Sequence, residues 1–212
     1  MGSYPIALAQ LQSARCVVIG GGEVAARKVD GLRAAGARPV VISPRLCKAL
    51  QQQAAAGKIE SICKEYNTGD LAGARLVIAA TDDPATNEAV WQEAQMIGCL
   101  VNVVDDPAHC NFHVPATVRR GALAISISTG GSSPLLAGRI RQELEQQYDA
   151  AYEPYLALLA DLRPVVQSQV PDPATRKTVW EALLNSEIFE LLQSGEAETA
   201  RQDADKIIGT YC

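Results

Sequence analysis

Aromatic residues are scarce in this 212-residue chain: they make up 5% of it, with only two Phe and two Trp. Its core must therefore be aliphatic, built on Val, Ile, Leu and Ala. No run reaches the roughly 18 apolar residues needed to cross a membrane, so no membrane partner is expected. The opening MGSYPIALAQLQ has neither a charged start nor a long apolar stretch. No signal peptide is visible there, and the origin of Met1-Gly2-Ser3 stays open. Six Cys, at 16, 47, 63, 99, 110 and 212, form no C-x-x-C pair. Such scatter without an export signal predicts reduced, packed thiols and a cytoplasmic location rather than a disulfide framework. Basic charge is not in excess either: 19 Lys+Arg against 24 Asp+Glu give a net charge of -5. No nucleic acid is expected as a general partner. With 48% hydrophobic and 20% charged positions, low-complexity and disordered classes are excluded. The length suits one large domain, or one domain with an appendage, at about 100–200 residues per domain.

What is present is an alternation of strands and helices. Residues 15–19 (RCVVI), 38–42 (RPVVI), 59–64, 75–79 (RLVIA) and 100–104 (LVNVV) have the short apolar pattern of strands. Helical composition falls at 24–35, 46–56 and 87–97. Short buried strands separated by helices predict an α/β fold, a doubly wound parallel sheet covered on both faces. Residues 106–121 are irregular in pattern, 122–128 (ALAISIS) alternate like a strand, 129–134 (TGGSSP) read as a turn, and 135–147 as an amphipathic helix. Beyond 150 only helices are expected, near 151–168, 174–185, 187–193 and 197–208. Asp172-Pro173 fits an N-cap followed by Pro at the first helical position. The expected division is a Rossmann-type domain over 1–113, a strand–turn–helix insert over 114–149 and a small all-helical domain over 150–212.

The sharpest motif is Gly20-Gly21-Gly22-Glu23-Val24-Ala25, a G-x-G-x-x-A run directly after a strand and before a helix. That context marks a dinucleotide fingerprint. Gly20 permits a tight turn, Gly22 lets a pyrophosphate approach the backbone, and Ala25 lets the helix pack closely. The helix start then offers N–H groups to the phosphates. The second cofactor feature departs from rule: an acidic residue is usual about 20 positions on, yet no Asp or Glu occurs from Gly31 to Ile59. The second strand instead ends Ile42-Ser43-Pro44-Arg45. Ser43 offers a ribose hydroxyl a weak bond, and Arg45 suits a 2′-phosphate or stands solvated. These residues leave NAD against NADP open.

Thr81-Asp82-Asp83 follows the fourth strand where open α/β sheets bind ligands. Thr81 and its backbone are expected to border the cofactor, and Asp82 or Asp83 to cap the helix at Pro84. Asp105 holds the corresponding place after the fifth strand, as a general base, a substrate anchor or a turn cap. His109-Cys110-Asn111-Phe112-His113 contains both histidines of the chain. Zinc spacing is absent, so no metal is expected; His109 and His113 are the only candidates for one, and a place beside the substrate suits them better. Arg119, Arg120, Arg139 and Arg141 surround the TGGSSP turn, whose Ser132, Ser133 and glycine amides suit an anion. Guanidinium groups suit carboxylates, although solvated surface pairs are their commoner fate.

Taken in order, VVIGGGEVAARK (17–28), AATDD (79–83), NVVDDP (102–107), FHVPATVRRG (112–121) and ISISTGGSSPLLAGRIRQELE (125–145) resemble the precorrin-2 dehydrogenase and sirohydrochlorin ferrochelatase family. That family includes the N-terminal module of bacterial sirohaem synthase. The resemblance covers residues 4–147; the helical tail fits by position only. It implies NAD-dependent oxidation of precorrin-2 to sirohydrochlorin by a homodimer. The 114–149 insert would mediate dimerisation, and the helical tail would cover the substrate cleft. Asp105 becomes the catalytic residue, as base or as orienting group. Glu23, Val24, Ser43 and Pro44 fall at or beside the family's NAD contacts, which favours NAD despite Arg45. Precorrin-2 bears eight carboxylates, which gives Arg119, Arg120, Arg139 and Arg141 a purpose, with Ser132, Ser133 and His113 beside them. Some relatives also insert iron into sirohydrochlorin, making Fe2+ or Co2+ a further substrate. The methyltransferase module of the fused enzyme is not expected in this chain. His113 and Thr129 depart from the family pattern, the latter standing where the fused enzyme has a modifiable Ser. Two rival readings are a nucleotide-sensing regulatory domain without catalysis and a dehydrogenase of another small substrate.

Overall fold

The computed structural model describes residues 4–211. The expectations attached to residues 1–3 and to the Cys212 thiol lie outside the described residues. The chain divides between Val114 and Pro115 into two compact units.

The first unit runs β1 (Cys16–Ile19), α1 (Glu23–Ala34), β2 (Val40–Ile42), α2 (Lys48–Ala55), β3 (Glu60–Ile62), β4 (Leu76–Ala79), α3 (Pro84–Ile97) and β5 (Leu100–Val103). Its five strands are parallel in the order β3-β2-β1-β4-β5. In register, Val17 of β1 lies between Val40 of β2 and Val77 of β4. The aliphatic runs divide by alternation between two faces. Val18, Val41 and Ile78 pack with Val29 and Leu50 on one side; Val17, Ile19, Ile42 and Val77 pack with Val90 and Val101 on the other. Each such side chain, fully buried, contributes about 1.5–3 kcal/mol. Because β2 and β3 build outward on one side of β1 while β4 and β5 build on the other, the sheet has its switch point at the carboxyl ends of β1 and β4. This is the doubly wound α/β fold expected from the alternation of strands and helices.

Two local expectations need correction. The helix expected over 87–97 begins three residues earlier, at Pro84, because the Asp83 carboxylate accepts from the backbone N–H groups of Ala85 (3.2 Å) and Thr86 (3.1 Å) and starts the helix there. The segment 106–121 is not irregular throughout. It contains a 3₁₀ turn, Pro107–His109, and the strand β6 (Ala116–Arg120). β6 pairs antiparallel with β7 (Leu123–Ile127), placing Val118 opposite Ile125. Only Val118 of its five residues is buried, so β6 carries too little apolar alternation to signal a strand. The insert is therefore a hairpin followed by a helix.

The second unit continues with α4 (Pro134–Gln147), α5 (Tyr152–Gln169), α6 (Pro173–Leu184), α7 (Ile188–Gln193) and α8 (Ala197–Gly209). Asp172 caps α6 as expected, accepting from Thr175 N at 2.7 Å. Leu162, Val166, Val179, Leu183, Ile188 and Ile208 form its separate core.

Candidate functional site

Between β1 and α1 the three glycines have three different reasons to be glycine. Gly20 has φ +117° and donates to Ile42 O at 3.0 Å, and a Cβ on it would stand 2.2 Å from Ala80 O. A Cβ on Gly21 would stand 1.9 Å from Arg45 O and 2.7 Å from Ser43 Oγ. Gly22 is the N-cap of α1, with no side-chain cap and nothing within 4 Å of where its Cβ would be. The first turn of α1 therefore keeps its N–H groups for an anion approaching through open space. Glu23 is exposed and Val24 half-buried at that helix start. These residues fit the pyrophosphate of a dinucleotide.

The β2 loop closes against this turn. Ser43 is 8% exposed and donates its hydroxyl to Arg45 O at 2.7 Å, while Cys47 N donates to Gly21 O at 2.7 Å. Ser43 thus holds the loop that walls Gly21, while Pro44 and Arg45 are exposed. After β4, Thr81 is half-buried and its hydroxyl lies 2.8 Å from Asn87 Oδ1, while Asn87 Nδ2 donates to Thr81 O at 3.0 Å. Asp82 is exposed beside it, and Asp83 is the α3 cap. Asn87, one turn into α3, went unnoticed in the sequence; no motif marks it.

Asp105 follows β5 in the left-handed region, with φ +60°, and is exposed. Its turn is closed by Asp106 N donating to Val103 O (3.3 Å) and by the Cys110 thiol, 3.2 Å from both Val103 O and Asp106 O. Burial raises the Cys110 pKa, keeping it a thiol. Asn102 Nδ2 donates to Phe112 O at 3.1 Å. Asn111 uses its amide as a peptide would, accepting from Val101 N at 2.7 Å and donating to Cys99 O at 3.0 Å. His109 lies between Asp106 Oδ2 (2.6 Å) and Glu88 Oε2 (3.2 Å), and His113 is exposed. Among the described residues no group of three or more His, Cys, Asp or Glu is placed to hold a metal ion.

The structure brings the glycine turn, Ser43, Thr81 and Asp105 to the carboxyl ends of β1, β2, β4 and β5, respectively. The arginines belong to the second unit. Arg119 is exposed on β6, and Arg120 donates to Glu145 O at 3.1 Å. Arg139 pairs with Glu143 at 3.2 Å, and Arg141 with Glu145. Ser133 caps α4, accepting from Leu136 N at 3.2 Å, and Ser132 is exposed.

A glycine turn at the switch point of a parallel sheet, with an uncapped helix behind it, defines an NAD(P)-binding Rossmann domain. Residues 7–116 match the family model described as putative NAD(P)-binding. Residues 120–147 match that of the sirohaem biosynthesis protein central region, and 151–208 that of the sirohaem synthase dimerisation region. The chain belongs to the family described as putative NAD(P)-binding, and the rest of it matches regions of sirohaem biosynthesis proteins. It is 39% identical over 210 residues to the siroheme synthase of Thioalkalivibrio sulfidiphilus, covering 99% of this chain and 43% of that protein. It is 40% identical over 211 residues to that of Gluconacetobacter diazotrophicus, covering 98% and 45%. The chain thus spans less than half the length of these curated relatives. The solved structure titled SirC, precorrin-2 dehydrogenase, matches with a TM-score of 0.76 and 26% identity, covering 96% of this chain and 100% of that one.

Proposed function

We propose that the chain oxidises precorrin-2 to sirohydrochlorin with NAD, in the cytoplasm and as a homodimer. One observation carries the reading: Asp105 is held exposed, in a left-handed conformation, at the carboxyl end of the strand next to the switch point. NAD, when bound, supplies the acceptor for a hydride from the macrocycle. The Asp105 carboxylate takes the proton lost in the same oxidation, and the remaining electron pair forms the new double bond. The N–H groups at Glu23 and Val24 would hold the cofactor phosphates. Thr81 and Asp82 border it, and Ser43, Pro44 and Arg45 form the wall beyond. The preference for NAD rests on the resemblance at Glu23, Val24, Ser43 and Pro44, since Arg45 is uncommitted.

Arg119, Arg120, Arg139 and Arg141 bind the substrate's carboxylates, aided by Ser132, Ser133 and His113. Exposed pairs such as Arg139–Glu143 are worth under about 1 kcal/mol, so a multiply charged anion displaces them readily. The homodimer is supported by the dimerisation-region description falling on residues 151–208; the family resemblance implied that role for 114–149, and both segments are proposed to take part.

The test is an anaerobic assay with precorrin-2 and NAD. Asp105→Asn should lower turnover by about 10²–10⁴-fold, the usual contribution of a positioned base, and leave NAD affinity intact. Wild-type turnover by Asp105→Asn refutes the assigned role. Folded wild-type protein that binds NAD but never forms sirohydrochlorin refutes the function.

A further inference from the structure

The turn that presents Asp105 is closed on itself and on β5 by its backbone bonds and by Cys110. None of those bonds reaches α3. His109 does: its Nδ1 lies 2.6 Å from Asp106 Oδ2, and its Nε2 lies 3.2 Å from Glu88 Oε2 on α3. Its ring stands edge-on to Trp91, also on α3, at 4.6 Å between centroids and 76° between planes. Glu88 is itself steadied from below, its other oxygen accepting from Gln92 Nε2 at 2.7 Å. We propose that His109 is a positioning residue, its imidazole tying the turn that carries Asp105 to α3 through Asp106 and Glu88. The proposal rests on the role assigned to Asp105 above.

The tie depends on charge. Both ring nitrogens donate only in the imidazolium; the neutral ring has one N–H and must release one carboxylate. The charged groups facing His109 are Asp106 from its own turn and Glu88 from α3. Lys28 of α1 acts electrostatically on the neighbouring Cys110 thiol. The Asp106 hydrogen bond raises the His109 pKa above its ordinary 6.5, and the same bond lowers that of Asp106. The tie is therefore fully made below the ordinary imidazole pKa and is lost as pH rises through the raised value. Losing it frees Asp105 to wander from the reacting atoms, so kcat falls while binding does not.

The experiment follows the His109 ring nitrogens by NMR titration and anaerobic turnover from about pH 6 to 9. It compares the wild-type chain with His109→Gln, Glu88→Gln and Asp105→Asn. Wild-type kcat should decline through the His109 ring pKa. In His109→Gln that pH limb should vanish, with kcat about tenfold lower at acid pH and both KM values unchanged; full misplacement can cost ~10²-fold. Glu88→Gln, an exchange at a partly exposed site, should move the ring pKa and the kinetic limb downward together. Wild-type kcat and pH limb in His109→Gln overturn the proposal. So does a kinetic limb that stays put while Glu88→Gln moves the ring pKa. Retained turnover in Asp105→Asn overturns the Asp105 assignment and this proposal with it; loss there beside an unaltered His109→Gln overturns this proposal alone.

Discussion

Alanine at Gly21 and alanine at the adjoining Gly22 should give opposite phenotypes. The Cβ of Gly21→Ala would lie 1.9 Å from Arg45 O, a backbone atom, so the β2 loop must retreat by more than an ångström. That loop is tied by Ser43 Oγ to Arg45 O and by Cys47 N to Gly21 O, both at 2.7 Å. Overpacking costs about 1–3 kcal/mol, and a disturbed hydrogen bond adds about 1 kcal/mol. The sum, about 2–4 kcal/mol, lowers Tm by about 4–16 °C in a chain of this size. Gly22→Ala meets nothing within 4 Å, so its cost without cofactor is at most about 1 kcal/mol, from the poorer cap. Its methyl group instead fills the approach to the α1 N–H groups. A clash of about 1–3 kcal/mol there weakens NAD binding by about 5–150-fold. Thermal unfolding by circular dichroism and titration calorimetry with NAD separate the two. A Gly21→Ala protein that melts with the wild type refutes the packing argument. A Gly22→Ala protein with wild-type NAD affinity refutes the placement of the phosphates.

Three further outcomes follow from buried and capping carboxylates. Glu93 is 4% exposed and accepts from Tyr66 OH (2.5 Å), Gly69 N (3.0 Å) and Leu71 N (3.1 Å). Glu93→Ala leaves those donors unmet and should cost about 2–4 kcal/mol in chemical denaturation, more than Tyr66→Phe. Burial, with Glu93 beside it, raises the Tyr66 pKa, so its phenol should not ionise in a spectroscopic titration before unfolding begins. The caps Asp83 and Asp172 have pKa values lowered by the Thr86 and Thr175 hydroxyls and by backbone N–H groups. Their stabilisation is present above the ordinary 3.8 and is lost as pH falls through the lowered values. Asp83→Asn with Asp172→Asn keeps two capping side chains without the charge, and should flatten the acid decline of Tm; an unchanged acid limb counts against this.

The Rossmann unit was legible because its strands are short apolar runs and its cofactor turn is three consecutive glycines, both local signals. Residues 15–19, 38–42, 75–79 and 100–104 each contain the strand found there. β6 was missed because Arg119 and Arg120 occupy two of its five positions and only Val118 is buried, so its pairing with β7 is tertiary information. Ser43 was legible as a candidate cofactor residue, but not as the brace for Arg45 that crowds any side chain at Gly21. The links from Asn87 to Thr81, from Asn111 to β5 and from His109 to Glu88 join residues whose spacing follows no motif. They depend on how β4, α3 and the segment after β5 fold back on one another. In the arginine set the sequence grouped four guanidinium groups; the structure adds that Arg139 and Arg141 already hold glutamates one turn away.

Asn111 has a consequence beyond its own turn. β5 is the last strand of the sheet, and its outer margin would offer free N–H and C=O groups to any passing strand. By accepting from Val101 N, donating to Cys99 O and adding its own backbone N–H to Val101 O at 3.0 Å, Asn111 occupies that margin around Val101, while Cys110 and Asp106 N take up Val103. The segment that carries Asp105 therefore also terminates the sheet. It covers the strand edge along which a sheet would otherwise grow from one molecule to the next, so that the turn presenting Asp105 and the closure of the sheet share an anchor.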